Sequence, residues 1–361
     1  MAKSTDEDQE KQEDMKIKKP ITPHLSDDVM IKILTRLRAK ELNQIRYVCK
    51  QWNNIIRDPY FIKQHSLNSE YGVIVQISPG DDVRFINMKG GNIYEYNIDT
   101  ILKGGIVATC DGLVLLQLDG LWSLKFYIIN LTTRENLELP LCSERPGRES
   151  YAIDYIPSRN EYKVARLLGG EEGDSKWDLA CEVLIVNGCD KLQWKSIDAP
   201  DVDMTKCFGY RPISVNGVVY WVEYPRHMVL CLDLSDDKFH QTPLPKISLS
   251  KGGFIGMGNY LSFLKYTAPE DLDVWVLKDF CKGEWVKQQT ISVRSKIIEC
   301  MPICSFENGD VIVFRKRKTL WAYNAKLQMW TKLGNAERIY FWGSHMSSIV
   351  FPKAQCTRSV M

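Results

Sequence analysis

Apolar residues recur at helical spacing between Pro23 and His65, and this pattern predicts three short helices. The first follows Ser26, whose hydroxyl is a good helix cap, and its apolar stripe is Val29, Met30, Ile33, Leu34 and Leu37. The second has a stripe at the same spacing, formed by Leu42, Ile45, Cys49, Trp52, Ile55 and Ile56. Asp58 and Pro59 open the third, because aspartate caps a helix and proline is tolerated in its first turn.

These three helices form a unit that is too small to bury both apolar stripes within itself. A chain of about forty residues usually needs a partner or a second domain in order to fold. The pattern alone therefore leaves two interpretations open. The unit is either a helical cap that packs on the rest of the chain or a module that docks another protein.

The order and spacing of residues in this unit resemble the F-box, a helical motif that docks a Skp-type adaptor of a cullin ubiquitin ligase. The positions that carry the resemblance are Leu25, Asp27, Asp28, Ile33, Leu34, Arg36, Leu37, Lys40, Leu42, Arg46, Val48, Cys49, Lys50, Trp52, Ile56, Pro59, Phe61 and His65. Ser26 and Arg38 depart from the motif, since they stand where the family usually has proline.

The resemblance implies a set of adaptor-binding residues, some of which contact the adaptor while others hold the helices in place. They are Leu25, Val29, Ile33, Leu34, Leu37, Leu42, Val48, Cys49 and Trp52. The partners that it implies are the Skp-type adaptor and, through this adaptor, a cullin.

From Tyr71 onward the pattern changes to short β-rich runs that are separated by Gly, Asn, Asp and Pro. The turns repeat at a fixed period, because Asn187, Asp233, Asp279 and Asn324 are 46, 46 and 45 positions apart. Each is followed by an aromatic residue, and these are Trp194, Phe239, Trp285 and Trp330. A second marker, an Asp-Gly or Asn-Gly pair before an apolar run, ends at Gly112, Gly217 and Gly309.

A period in the forties with tryptophan and glycine at fixed phases is typical of a β-propeller with four strands in each blade. The chain from Tyr71 to Phe351 has room for about six such blades at this period. The first and last segments lack full copies of the repeat. We therefore predict that one blade is shared between the two ends of the ring, since sharing removes a free sheet edge.

Four segments of this region resemble the F-box-associated domain of plant F-box proteins, a class often called kelch-like. The segments are residues 110–113, residues 130–135 with Leu139 and Pro140, residues 160–164, and residues 216–221. Leu131 departs from the family, which usually has proline at that position. The resemblance implies a substrate receptor, but family members recognise unrelated targets, and so it does not name the target.

The composition is that of an ordinary protein with one large and one small domain, at 44% hydrophobic and 25% charged residues. The net charge of +2 argues against a general nucleic-acid binder, and no apolar run is long enough to span a bilayer. The polar N-terminus has no secretory signal, and the eleven cysteines are expected to be free thiols. These features predict a cytoplasmic or nuclear protein, or one found in both compartments, in which the sequon at Asn130 is unused.

No set of residues has the pattern of a catalytic, cofactor or metal site. Cys300 and Cys304 lack a second cysteine pair, and the five histidines show no ligand spacing. The glycines at 252–258 do not fit a nucleotide-binding loop, and we predict a turn between blades there. The basic run at 315–318 is either a solvated hairpin tip, a nuclear signal or a grip for an acidic target.

The sequence therefore predicts a disordered charged tail (residues 1–20), an all-α F-box of three helices (residues 21–66) and an all-β, kelch-like propeller (residues 71–355). The function predicted from the resemblance is a non-catalytic substrate receptor of an SCF-type (Skp-cullin-F-box) ubiquitin ligase. Its unknown protein target would bind the propeller. The alternative is an F-box scaffold that works outside the ligase.

Overall fold

A computed structural model describes most of the chain, and the predicted tail lies outside the described residues. Those residues are 25–89, 92–98, 104–119, 124–143, 147–169, 179–186, 192–202, 208, 211–223, 228–247, 252–268, 271–292, 300–335 and 338–352. The helices are α1 (Asp27–Leu34), α2 (Ala39–Ile45), α3 (Lys50–Arg57) and α4 (Pro59–Ser66).

The second of the three predicted helices is divided, so that the described residues form four helices. Cys49 interrupts the stripe with an extended backbone, at φ −154° and ψ 162°. Its sulfur accepts a hydrogen bond from the backbone N–H of Trp52 at 3.5 Å, which makes Cys49 the cap of α3. The last helix begins as predicted, because the Asp58 carboxylate accepts hydrogen bonds from the N–H groups of Tyr60 and Phe61.

The described strands form six antiparallel sheets of four strands each, which confirms the predicted propeller and its blade number. In chain order the strands are β1 (Tyr71–Gln76), β2 (Val83–Lys89), β3 (Asn92–Ile98), β4 (Gly105–Cys110), β5 (Leu113–Asp119), β6 (Leu124–Asn130), β7 (Asn136–Glu138), β8 (Arg148–Ile156), β9 (Glu161–Gly169), β10 (Ala180–Ile185), β11 (Lys195–Ile197), β12 (Ile213–Val215), β13 (Val218–Glu223), β14 (Met228–Asp233), β15 (Lys238–Pro243), β16 (Gly252–Met257), β17 (Tyr260–Ala268), β18 (Asp271–Asp279), β19 (Glu284–Ser292), β20 (Met301–Phe306), β21 (Val311–Lys316), β22 (Thr319–Asn324), β23 (Met329–Asn335) and β24 (Phe341–Met346).

The ring is closed by its last strand, as predicted. The first sheet has the order β24-β1-β2-β3, so the C-terminal strand completes the sheet that β1 begins. The pairing runs from Tyr71 opposite Met346 to Gln76 opposite Phe341. The other five sheets each take four consecutive strands, and β4, β8, β12, β16, β20 and β24 contact one another around a central channel.

Hydrogen bonds of the turn side chains explain three of the repeated Asn and Asp residues, Asp233, Asp279 and Asn324, each of which ends the third strand of its sheet. Asp233 accepts from the N–H of Ser235 at 2.8 Å, and Asp279 accepts from the N–H of Lys282 at 3.0 Å. Asn324 does the same with the N–H of a residue three positions later. These side chains replace backbone acceptors within a tight turn, which is why the residue type recurs. Asn187, the remaining copy, lies outside the described residues.

Two aromatic residues of the repeat, Trp194 and Trp285, join neighbouring sheets at their outer edges. The indole N–H of Trp194, directly before the last strand of the third sheet, donates to the carbonyl of Pro140 beside the second sheet at 2.9 Å. Trp285 donates in the same way to the carbonyl of Pro243, which connects the fifth and fourth sheets. Their rings pack against the apolar cores between sheets, so these tryptophans serve the fold rather than a ligand.

The glycine-rich stretch at 252–258 is mostly a strand, and the predicted turn between blades is wrong for residues 252–257. This stretch forms β16, the innermost strand of the fifth sheet. A Cβ atom on Gly253 would lie 2.8 Å from Pro302, and one on Gly256 would lie 2.7 Å from Val215. Glycine is needed at these positions because the innermost strands of adjacent sheets approach each other closely.

Acid should weaken the closing strand through His345, whose buried ring packs edge-on against Phe85 at 5.8 Å between centroids. Burial lowers the pKa of His345 from 6.5 to about 4. The unfolded chain therefore takes up a proton between pH 6.5 and 4 while the folded chain does not, and stability falls across this window. Acidification from pH 7 to 4.5 should cost about 2 to 3 kcal/mol through this group.

Urea unfolding of the full chain and of a His345→Gln variant at both pH values measures this contribution. The variant lacks the titrating group, so its loss of stability on acidification should be smaller by that amount. An equal loss in the two proteins would show that His345 titrates as it does in the unfolded chain.

Candidate functional site

The helical unit has its own core, which includes one residue from the end of the propeller chain. The buried residues of this core are Met30, Leu34, Ala39, Leu42, Ile55, Ile56 and Phe61, together with Ile349. Helix α1 contributes Met30 and Leu34 from one face. Val29 and Ile33 are also four apart and share a second face, because each lies about 100° around the helix from the buried residue that follows it.

The outer face of α1 presents apolar side chains to solvent. Val29 and Ile33 lie in α1 and Leu25 lies two residues before it, so the three follow one another at steps of four; Leu25, Val29 and Ile33 are 50%, 41% and 50% exposed. We call these three residues the outer α1 stripe. Val48, in the turn between α2 and α3, is 67% exposed. A contiguous apolar surface on so small a unit is typical of a protein-docking site.

The predicted adaptor-binding residues divide into three groups by burial. Leu25, Val29, Ile33, Val48 and Cys49 are exposed, Leu37 and Trp52 are half-buried, and Leu34 and Leu42 are buried. Leu34 is 2% exposed and Leu42 is completely buried, so neither reaches the surface of this unit. These two residues hold together the helices that carry the exposed members of the set.

Two arginines of the helical unit bind one carboxylate of the propeller. Arg46 and Arg57 donate to Oε1 of Glu135, which lies in the turn between β6 and β7, at 2.8 and 3.2 Å. Both guanidinium groups also lie over the ring of Phe351, at 5.3 and 4.3 Å from its centroid. Arg46 is 4% exposed, and a buried charge needs such partners to offset the water that it loses.

A buried asparagine fastens the segment that follows β24. The side-chain N–H₂ of Asn130 donates to the backbone carbonyls of Ser348 and Val350, at 3.1 and 2.8 Å. Its carbonyl oxygen accepts from the N–H groups of Thr132 and Thr133. The side chain of Asn130 is fully buried and fully engaged, which leaves no amide available for glycosylation at the sequon.

The helical unit sits at the end of the propeller where β24 finishes. Ile349 and Phe351 come directly after that strand, and the carbonyl of Glu70 accepts the N–H of Ser347 at 2.9 Å. The innermost strands run in the same direction. For example, β4 begins at Gly105 and β24 begins directly after Tyr340, and these two residues are in contact. The starts of these strands therefore mark the opposite end of the propeller, which we call the distal end.

The central channel holds a cavity of about 770 Å³. Its walls come mainly from the innermost strands of the six sheets and include glycines 252, 253 and 256, which lack side chains to fill it. Phe254, Phe341 and Trp342 contribute aromatic surface. Among the described residues that line the channel, Arg211 is the one charged residue. It lies two residues before the start of β12, at the distal end.

A buried carboxyl group with a strongly raised pKa serves the fold of the propeller. Burial raises the pKa of Asp154 to about 7, although the group accepts hydrogen bonds from the N–H groups of Gly217 and Tyr155, both at 2.9 Å. The bond from Gly217 ties β8 to the turn between β12 and β13. Asp154 is 7% exposed and does not line the cavity, so it supports the packing of two sheets.

In the described ranges, no group of three His, Cys, Asp or Glu side chains could hold a metal ion. The cysteines there are free thiols, and Cys300 and Cys304 are buried. No helix among the residues that the structure describes is long and apolar enough to cross a membrane.

Sequence reasoning missed the junction at Glu135 and the channel arginine. Glu135 lies inside a segment that resembles the F-box-associated domain, yet nothing in its spacing indicates a partner 89 residues away. Arg211 is an isolated arginine beside Pro212, and only closure of the ring brings it to Phe341. Neither residue carries a local pattern by which it could have been found.

Comparison with known proteins gives matches to two families and to many relatives. Residues 92–331 match the family described as F-box associated beta propeller domain, and residues 23–64 match the F-box domain. F-box protein At5g49610 of Arabidopsis thaliana is 23% identical over 336 residues, which cover 85% of this chain and 90% of that protein. F-box protein At1g30790 of the same plant is 27% identical over 301 residues, covering 73% and 74%.

A third relative, the F-box/LRR-repeat/kelch-repeat protein At2g27520 of Arabidopsis thaliana, is 24% identical over 241 residues, covering 63% of this chain and 62% of that protein.

The propeller family match spans well over half of the chain, and it falls on the sheets described above. The four helices fall in the F-box match and on the two residues after it. The chain therefore belongs to the F-box associated β-propeller family and carries an F-box domain ahead of its propeller.

Proposed function

We propose that the protein is a substrate-recognition subunit of an SCF-type ubiquitin ligase. The observation that carries this proposal is the outer α1 stripe, in which Leu25, Val29 and Ile33 remain exposed while the inner face of α1 is buried. A few buried apolar anchors usually dominate the energy of such an interface. In this proposal the stripe and Val48 dock a Skp-type adaptor, and the adaptor recruits a cullin.

The propeller is the part of the chain that we assign to the target. Loops on a rigid scaffold are where binding residues usually lie, and the distal end has connections that the F-box leaves uncovered. Arg46 and Arg57 hold the F-box on the other end through Glu135, which favours a fixed distance between adaptor and target. The subunit would contribute proximity, since it raises the concentration of a target lysine near the ubiquitin-carrying subunit.

The chemistry of ubiquitin transfer would come from other subunits. The alternative function is an F-box scaffold that uses the adaptor outside a ligase, and the same stripe supports it. Cullin recruitment and target loss distinguish the two. For either function we propose a cytoplasmic or nuclear location.

Affinity purification of the full chain from cells in which the proteasome is blocked tests the proposal. We expect the Skp-type adaptor, a cullin and at least one further protein that accumulates under the block. Recovery of the adaptor without a cullin would favour the scaffold. Recovery of neither would overturn both functions.

A further inference from the structure

We propose that the central channel binds a ligand that carries a single carboxylate on an apolar body, and that the Arg211 guanidinium holds the carboxylate. This inference deepens the proposed function, because a peptide carboxylate would belong to a target. A free small acid is the other source of the same chemistry. The channel volume of about 770 Å³ falls in the range of small-ligand pockets.

The position of Arg211 is unusual for an arginine that only stabilises a fold. It precedes β12 in the fourth sheet, but its guanidinium reaches β24 in the first sheet, which is the opposite member of a six-sheet ring. It donates to the carbonyl of Tyr340 and, at 3.5 Å, to the carbonyl of Trp342. The side chain therefore crosses the distal mouth of the channel.

Two aromatic rings and two carbonyl groups orient the Arg211 guanidinium, and none of them neutralises its charge. It lies 4.3 Å from the ring centroid of Phe341 and 5.1 Å from that of Trp342. Within the described residues it forms hydrogen bonds with two carbonyl groups and pairs with no carboxylate. A guanidinium has five N–H donors, so donors remain for a ligand, and an arginine fork matches the two oxygens of a carboxylate.

Among the described residues, the lining of the channel contains one charged side chain, Arg211, and no acidic one. Partial burial of the Arg211 guanidinium lowers its pKa to about 10, so the group is still charged at neutral pH. Arg315 is not among the lining residues, and its guanidinium lies 6.0 Å from the centroid of the Trp342 ring. The carboxylate of Glu149, at the start of β8, is already engaged by Arg166 and by the hydroxyl of Tyr151.

The lining decides the class of ligand. One arginine among the lining residues matches one negative charge, whereas a doubly charged phosphate would leave one charge without a charged partner in the lining. Phe254, Phe341 and Trp342 offer flat apolar surface for the remainder of the ligand. A carboxylate on an aromatic or aliphatic body fits both features.

Calorimetric titration of the full chain with matched acids and amides tests the site. The probes are naphthalene-2-carboxylate and its carboxamide, and the peptide acetyl-Gly-Gly-Phe with a free or an amidated C-terminus. We expect at least one acid to bind ten-fold or more tightly than its amide. The tighter of the two acids identifies the source of the carboxylate, a free small acid or a peptide terminus.

Variants assign this preference to Arg211. Arg211→Gln should remove the preference for acid over amide, and Arg211→Lys should retain part of it. Arg159→Gln is the matched control, because it removes the same charge from an exposed turn at the F-box end and should change nothing. Ser344→Trp, which fills the channel from an exposed position without altering charge, should abolish binding of all four probes.

Equal binding of acid and amide to the unaltered chain, or no binding of either acid, overturns the proposal. So does an acid preference that survives in folded Arg211→Gln. If that variant does not fold, the matched probes on the unaltered chain and Ser344→Trp still decide the question. Adaptor recruitment does not enter these titrations, so their failure would leave the proposed function standing.

Discussion

A chain that ends after Asn335 should fail to form a stable propeller, because it lacks the strand that closes the ring. Without β24, strand β1 loses its partner from Tyr71 to Gln76 and becomes a free sheet edge. The truncation also removes Ile349 from the F-box core and the acceptors of the buried Asn130 side chain. Both domains should therefore be affected.

The size of the effect follows from the side chains that are lost. Phe341, Met346, Ile349 and Val350 are each at most 7% exposed. Burial of one such side chain contributes about 1.5 to 3 kcal/mol, so the four together contribute about 6 to 12 kcal/mol. The free energy of unfolding of a typical domain is about 5 to 15 kcal/mol, so this loss is comparable to the whole stability of the domain.

Thermal unfolding followed by circular dichroism, together with size-exclusion chromatography, measures the outcome. We expect aggregation and no cooperative transition. A chain that ends after Pro352 is the control, because it keeps all the described contacts of β24 and should unfold like the full chain. A soluble and equally stable product of the Asn335 truncation would mean that the sheets are stable independently of ring closure.

Replacement of Ile33 by aspartate should abolish recovery of the adaptor and the cullin while the propeller remains folded. Ile33 is 50% exposed, so a charge there is tolerated in the isolated chain but would be buried against an adaptor. Loss of one anchor of this kind usually costs 2 kcal/mol or more, and a buried unpaired charge adds to that cost. We expect adaptor recovery to fall by a factor of about 100 or more, at about 1.4 kcal/mol per factor of ten.

Leu141→Asp is the matched control for this variant. Leu141 is 66% exposed and lies between β7 and β8 at the distal end, so the same charge is introduced away from the F-box. Its adaptor recovery should equal that of the unaltered chain. Adaptor binding that is retained by Ile33→Asp would show that the outer α1 stripe is not the docking surface.

Local patterns were sufficient to predict the elements that depend on local chemistry. The Asp58 cap of α4 and the turn residue Asp233 make hydrogen bonds within three positions of themselves, so spacing reveals them. The break at Cys49 was missed because the apolar stripe continues through it at helical spacing. A backbone bend can leave the periodicity of a stripe intact.

Features that depend on ring closure could not be predicted from spacing. The glycines of β16 resemble a loop in sequence, and only the approach of Pro302 and Val215 shows why a strand needs them. The contact between Arg211 and Phe341 joins positions 130 apart on opposite sides of the ring. The exposure of Ile33 and the burial of Leu34 also emerge only when the helices pack.

The half-life of a captured target protein tests the central claim most directly. Cells would express the full chain or Ile33→Asp, and the target would be followed after protein synthesis is stopped, with and without a proteasome inhibitor. The receptor function predicts a shorter half-life with the full chain and a longer one with Ile33→Asp, which would occupy the target without recruiting the ligase. The inhibitor should remove the difference. Target half-lives that are the same with the full chain and with Ile33→Asp would contradict the receptor function.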